Sequence, residues 1–554
     1  MRLSFAAVKI LNAARVFHPK SVKYYLIYQI HATIARHLAS DRKSKNNPMN
    51  KIVLFVCALV HGATFAQPAI SWQKSLGGSA NDNGFSVQQT IDGGYIIAGE
   101  TGSTDGQVTG NHGGYDAWVV KLDALGNIEW QKALGGSGHD SATCVRQTFD
   151  GGYILAGSSN SNDGQVSGNH GVNDYWVVKL DTDGQIVWQK SLGGSRGEWA
   201  YDIQQTLDSG FIVAGVTESD DGDVTGQHGI AGDCWIVKLD NSGTLQWQKA
   251  LGGSANDVAR SIRPTADDGY IFSGRTRSND GDVSGNHGDE DLWVVKLENS
   301  GNIEWQKCLG GTNFDAGYGI VPTDDGGYLT TGLTYSSNGD VTNPRGFGDI
   351  WAVKLDQTGA IQWQKCYGGV SADAANTVFA AGNNSFIIAG YSYSDDGNVM
   401  ENKGNADWWI LKIDSAGDIV WQKTYGGTGT EFAMCVEQSG DGGLVAAGHS
   451  NSNDYDVSGN HGAHDFWVIK LEPELSVHGF DKADIALYPN PARDRIYIAS
   501  AQTFTHYAMY DAMGKCVQTG KPGVSVAVDT LVPGWYLVQL SNGQTTTVHK
   551  FLKQ

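Results

Sequence analysis

The sequence predicts an all-β protein: a seven-bladed β-propeller with four-stranded blades, its ring closed by the N-terminal strand, followed by a small Ig-like β-sandwich. Three observations carry this. The tripeptide Trp-Gln-Lys opens at Trp72, Trp130, Trp188, Trp247, Trp305, Trp363 and Trp421, a spacing of 58 residues with one step of 59. A second tryptophan, inside Asp-x-Trp, recurs at Trp118, Trp176, Trp235, Trp293, Trp351, Trp409 and Trp467. A phrase repeated at such a period marks one supersecondary unit stacked on copies of itself. Glycine is abundant (74 of 554 residues) and proline scarce (11), which suits strands joined by tight turns.

Each copy reads as four strands, named A to D: in the first, "GFSVQQT", "GYIIAGET", "DAWVVKLD" and "NIEWQKALGG". Short runs rich in Val, Ile, Tyr and Trp and bounded by Gly, Asp and Asn are strand signals. "DGG" between A and B and "ALGN" between C and D supply the positive-φ positions of hairpin turns. Four antiparallel strands repeated seven times build a propeller. An open β-solenoid is the rival, but its coils are usually shorter and lack two hairpins each. The array begins with a D-type strand, "ISWQKSLGG", and ends on a C-type strand, "FWVIKLE", so pairing the two closes the ring and removes two sheet edges. This order puts strand A at the axis. The D–A loop ("GGSANDN") and the long B–C loop ("GSTDGQVTGNHGG") then share one face, where binding usually lives.

Outside the array, residues 1–48 are basic and match no repeat; they read as an upstream extension from a mis-assigned start. Residues 49–66, "MNKIVLFVCALVHGATFA", read as a Sec signal peptide cut after Ala66. The propeller is assigned to 67–475, a linker to 476–481 and the sandwich to 482–554. Beyond residue 66 the chain holds 29 basic and 58 acidic residues, net −29. That charge repels nucleic acid and anionic membranes and favours cations or neutral sugars. The seven cysteines form no framework; Cys144 and Cys435, like Cys308 and Cys366, occupy matching repeat positions and read as small apolar fillers.

The loop "SNDGDVSGNHGDEDLWVVKL" looks like a metal site, with alternate carboxylates and a histidine. Its histidines (His112, His170, His228, His287, His461) fall in separate blades, and the spacing misses the calcium-loop pattern, so a structural turn is the reading. The aspartates before the second tryptophan and the strand-C lysines recur in all seven copies, which argues for hydrogen bonds or ion pairs within the blade. A further acid opens strand A in every copy: Asp82, Asp140, Glu198, Asp257, Asp315, Asp373 and Glu431. These either ring the channel mouth as a cation trap, with calcium the candidate, or cap their own D–A loops. Function is sought where copies differ. Beside those acids, Trp199, Phe314 and His139 place rings on the loop face where no repeat rule asks for them, the kind of platform that stacks sugars or grips protein.

After Pro473 the repeat stops. "YPNPA" (with Pro489, Asn490 and Pro491), "YDAMGK", "LVPGWYLVQL" (with Gly534 and Tyr536) and the basic "KFLKQ" tail (with Lys550) resemble the type A C-terminal sorting domain of the type IX secretion system. The resemblance implies a Bacteroidetes-type envelope, Sec passage to the periplasm, recognition by the type IX machinery, and release or attachment at the outer-membrane surface. The "DGGYIIAG" repeats are similar to SBBP-type β-propeller repeats, which implies fold and little about activity. The chain is therefore expected to be a secreted or cell-surface, non-enzymatic binding or adhesion module for a glycan or protein. The alternative is a polysaccharide-degrading hydrolase on a propeller scaffold, although no carboxylate pair stands outside the repeat pattern.

Overall fold

A computed structural model describes residues 67–474 except 383, and 486–554 except 500–503, 512–514, 524 and 543–545. The expected upstream extension, signal peptide and linker lie outside the described residues, and no α-helix occurs among those described. In blade 1 strands A (Asp82–Gln89), B (Tyr95–Thr101), C (Asp116–Leu122) and D (Ile128–Leu134) pair antiparallel in that order. Five further sheets repeat the pattern. Strand C is buried along its whole length, as its unbroken apolar run requires when neighbouring blades cover both sheet faces.

The repeated words have local physical reasons. Trp118 is fully buried, and its indole N–H donates to Gln131 Oε1 of "WQK" at 2.7 Å. The same bond recurs in every blade, for example Trp293 to Gln306. A buried indole whose polar edge is satisfied fixes both strands in register. The first tryptophan of "WQK" leaves its own blade: Trp130 packs on Tyr153 and on Gly184, both in blade 2. Gly184 has φ +72° and a Cβ there would lie 2.8 Å from the Trp130 ring, so both backbone and space demand glycine. Six of the seven strand-C lysines are buried and paired to the A–B turn aspartates, as in Lys121–Asp92 at 2.9 Å and Lys238–Asp208 at 2.8 Å. Blade 6 lacks that aspartate; Lys412 instead reaches Glu474 at 2.7 Å, which also accepts the Trp421 N–H at 2.7 Å.

The seventh sheet contains strands A (Glu431–Gln438), B (Leu444–Ser450) and C (Asp465–Leu471), and its fourth strand is Ile70–Leu76. That strand pairs antiparallel with Asp465–Leu471, and Gln73 accepts the Trp467 N–H at 3.0 Å. Strand A of each blade touches strand A of both neighbours, the first touching the seventh. At this junction Asp82 N–H donates to His464 O at 2.7 Å and Gly440 N–H to Gln89 Oε1 at 2.6 Å. The ring is closed as its end strands imply, with the A strands around the axis.

The C-terminal region forms two sheets, one of Ala486–Tyr488, Arg495–Ala499 and Ser525–Ala527, the other of Cys516–Gly520, His506–Asp511, Gly534–Ser541 and Thr546–Lys553. Ile496 and Val526 of the first share a core with Met509, Tyr536, Val538 and Phe551 of the second. All six described cysteines are free, and five are buried, consistent with their reading as fillers.

Candidate ligand-binding face and sorting domain

The D–A and B–C loops lie together: Ser79 N–H donates to Asp105 Oδ1 at 2.7 Å, and Ala80 N–H to Ser103 Oγ at 2.9 Å. The acids that open strand A organise this face from beneath. Asp82, Asp140, Glu198, Asp257, Asp315, Asp373 and Glu431 are all fully buried. Asp82 accepts from Gly78 N–H and Ser103 Oγ, each at 2.8 Å, and from Thr101 Oγ1; Asp257 repeats this with Gly253, Ser278 and Thr276. The axial carboxylate ring is therefore not formed, because each acid is turned inward as the cap of its own loop. Among the described residues no group of three or more His, Cys, Asp or Glu is placed to hold a metal ion.

A second set of acids meets the first at each junction. A Cβ built on Gly135 would lie 2.5 Å from Asp140 Oδ2 and 3.0 Å from Asp116 Oδ1, so only this glycine's bare Cα separates carboxylates of adjacent blades. Gly77, Gly193, Gly310, Gly368 and Gly426 stand likewise between two carboxylates. The strand-C aspartates Asp116, Asp174, Asp233, Asp291, Asp349, Asp407 and Asp465 are fully buried, and Oδ1 of each has no hydrogen-bond partner. In five blades the other oxygen takes the loop histidine, as in His112 Nδ1 at 2.6 Å from Asp116. Those histidines thus brace the turn within the blade. Burial pushes all seven strand-C carboxyls above the ordinary value, Asp407 to about 6.

The three rings named from the sequence occupy different settings. Trp199, second residue of strand A in blade 3, is half-buried and folds over Gly197. Phe314 is half-buried on the edge of Tyr335 at 5.9 Å, and Tyr335 in turn meets the exposed Phe347 at 5.2 Å. His139 is exposed, stacked on Tyr115, and bonded to Glu100 at 2.9 Å; that bond raises its pKa. Trp408, which belongs to neither tryptophan series, is fully buried.

A collar of residues escaped the sequence reading. Strand A of every blade carries a β-bulge between its third and fifth residues, which leaves the fourth unpaired in the ladder. A bulge bends its strand and re-aims the extra side chain. The re-aimed residues are Phe85, Thr143, Tyr201, Arg260, Tyr318, Asn376 and Met434, all half-buried beside the axis. They touch around the ring: Arg260 lies over the Tyr201 ring at 4.0 Å, and Asn376 Nδ2 is 3.4 Å from Met434 Sδ. Their signal in the sequence is a strand-A position at which every copy differs from its neighbours.

In the C-terminal sandwich, the Asn490 side chain clamps the last strand, donating to Lys550 O at 3.2 Å and accepting from Leu552 N–H at 2.9 Å. Pro489 and Pro491 flank that clamp. Tyr536 is buried against Phe551, while the residues alternating with it, Trp535 and Leu537, are exposed. Lys550 sits over the Trp535 ring at 4.0 Å. Gly534 starts this strand with open space where a Cβ would stand. The motif residues thus hold the final strand in place and build one apolar, basic-edged outer face.

Among solved structures, similarity is distant. The extracellular domain of the putative hybrid two-component system BT4673 from B. thetaiotaomicron is 10% identical, with TM-score 0.40, over 88% of this chain and 60% of that one. The chain therefore spans about 60% of that protein's length. Sqt1 from Chaetomium thermophilum is 11% identical (TM-score 0.39; 73% and 100% covered), and the Pan2 WD40 domain of Neurospora crassa 10% (TM-score 0.38; 72% and 95%). No curated protein matches the chain. Residues 486–554 match the secretion system C-terminal sorting domain family. The chain thus carries a type IX sorting signal at residues 486–554, behind a β-propeller.

Proposed function

We propose that the propeller is a non-enzymatic binding module, delivered to the cell surface or medium by its sorting domain, that holds a glycan or protein ligand at the axis mouth and loop face. The observation that carries this reading is the split between constant and variable positions. Tryptophans, lysines and acids that recur are consumed inside the blades, whereas the rings that differ between copies collect at one face. A rigid scaffold presenting half-buried aromatic rings is suited to stacking a ligand at low entropic cost.

Trp199→Ala and Phe314→Ala are each expected to weaken binding by roughly tenfold, about 1.4 kcal/mol, with the melting temperature nearly unchanged. Trp293→Ala serves as the contrast, because removing that fully buried ring costs on the order of 3–5 kcal/mol of stability. A glycan array and a surface-protein pull-down supply the ligand; unfolding of Trp199→Ala, or unchanged binding in both loop-face variants, rejects this face. Delivery has its own test. Deleting residues 477–554 is expected to leave the propeller folded and retained in the periplasm, measured by cell fractionation. Normal appearance of the truncated protein outside the cell would reject the sorting domain's role.

A further inference from the structure

We propose that Arg260 is the anion-recognising residue of a subsite in the channel mouth, and that its ligand is an acidic saccharide whose carboxylate meets the guanidinium while the sugar ring lies against flanking tyrosines. The proposal rests on the binding reading above and narrows it to one chemical class.

Arg260 is the bulged residue of strand A in blade 4, so the fold aims it at the axis and spends no ladder pairing on it. Tyr201 of blade 3 lies 4.0 Å from its guanidinium carbon and Tyr318 of blade 5 lies 5.7 Å away. Its Nε is buried without a hydrogen-bond partner. Cation–π contact stabilises the charge modestly and makes no use of the in-plane N–H donors. The other strand-A arginines differ. Arg263 pairs with Asp202, and Arg146 stands 3.8 Å from both Asp202 and Glu437. Arg275, nearby on strand B, faces Glu290 at 3.4 Å. The channel therefore neutralises its cations at one level and leaves Arg260 without a carboxylate at another, among the described residues.

An uncompensated guanidinium held between rings is a receptor for a planar oxyanion, which it can bind through two parallel N–H bonds. The surrounding chain selects which anion. Past residue 66 the net charge is −29, so a polyanionic peptide meets repulsion that one cation does not offset. A sugar ring bearing a single carboxylate needs one cation, and its apolar face needs an aromatic surface beside it. Tyr201 and Tyr318 provide that surface on either side.

The test is calorimetric titration of the purified protein with trigalacturonate, with its fully methyl-esterified form, which removes the charge and keeps the rings, and with hexaglutamate. Trigalacturonate is expected to bind at least about tenfold more tightly than the ester. Arg260→Gln should abolish that preference with an unchanged melting temperature, and Arg260→Lys, which keeps charge but not the planar fork, should retain part of it. Equal affinity for acid and ester, lost in Trp199→Ala and Phe314→Ala, would overturn this inference and leave the loop-face reading intact. A preference that survives Arg260→Gln, tighter binding of hexaglutamate, or no binding of any of the three would overturn it as well.

Discussion

Starting the chain at Leu76 instead of Pro68 is expected to destabilise the propeller by at least about 5 kcal/mol, far more than a terminal trim normally costs. The lost residues include Trp72, which meets the edge of Tyr95 at 5.5 Å, and Gln73, the acceptor for the buried Trp467 indole. Removal leaves that N–H unsatisfied, opens the hydrophobic cluster around Tyr95 and Val468, and bares one edge of the Asp465–Leu471 strand. Thermal unfolding of the two forms gives the comparison, and equal midpoints would show that the N-terminal strand does not close the ring.

Lowering the pH from about 7.5 to about 5 is expected to raise the melting temperature. Burial lifts the strand-C carboxyls and those of Asp82, Asp257, Asp315 and Asp373 above their ordinary value, with Asp373 and Asp407 at about 6. A carboxyl whose folded pKa is raised stabilises the fold fully below the unfolded value of 3.8, and that contribution is lost as pH rises through the folded value. For a shift to about 6 the loss by pH 7.5 is roughly 3 kcal/mol per group. The A–B turn acids oppose this at the acid end. Burial raises Asp92, Asp208, Asp267 and Asp325, but threonine and lysine bonds override it and hold them at about 2, so their contribution disappears below 3.8. The stability maximum is expected between about pH 4 and 6. Asp407→Asn should raise the melting temperature at pH 7.5 and flatten the profile, since an amide carries no charge and can donate toward Glu431. A fall at every pH would show that the unpartnered oxygen serves another purpose.

Much of this architecture is legible without coordinates because periodicity is a global signal. Trp72 and Trp467 betray the closing strand simply by being the first and last of their series. The caps are less legible. Asp82 stands near the axis, and position along a strand cannot say whether a carboxylate points to the channel or under its own loop; Thr101 and Ser103, two words later, decide it. Arg260 is hidden for a different reason. The evident variable positions flank the strand-A acid, where Trp199 and Phe314 stand, whereas the bulge places Arg260 two positions further on. A bulge is a defect of pairing, and pairing is not visible in a single strand's residues.

The closing sheet also determines how the ring would carry a mechanical load. The chain leaves the propeller from Leu471, at the end of a strand hydrogen-bonded on one side to Leu444–Ser450 and on the other to Ile70–Leu76. Any pull transmitted through the C-terminal segment, as when a bound ligand drags on a tethered protein, enters the ring along an interior strand. Two ladders then resist in shear, many bonds at once, where an edge strand would peel one bond after another. Seven residues at the opposite end of the sequence thus convert a zipper into a rivet, and a form lacking them should yield at a lower force in single-molecule pulling even where it still folds.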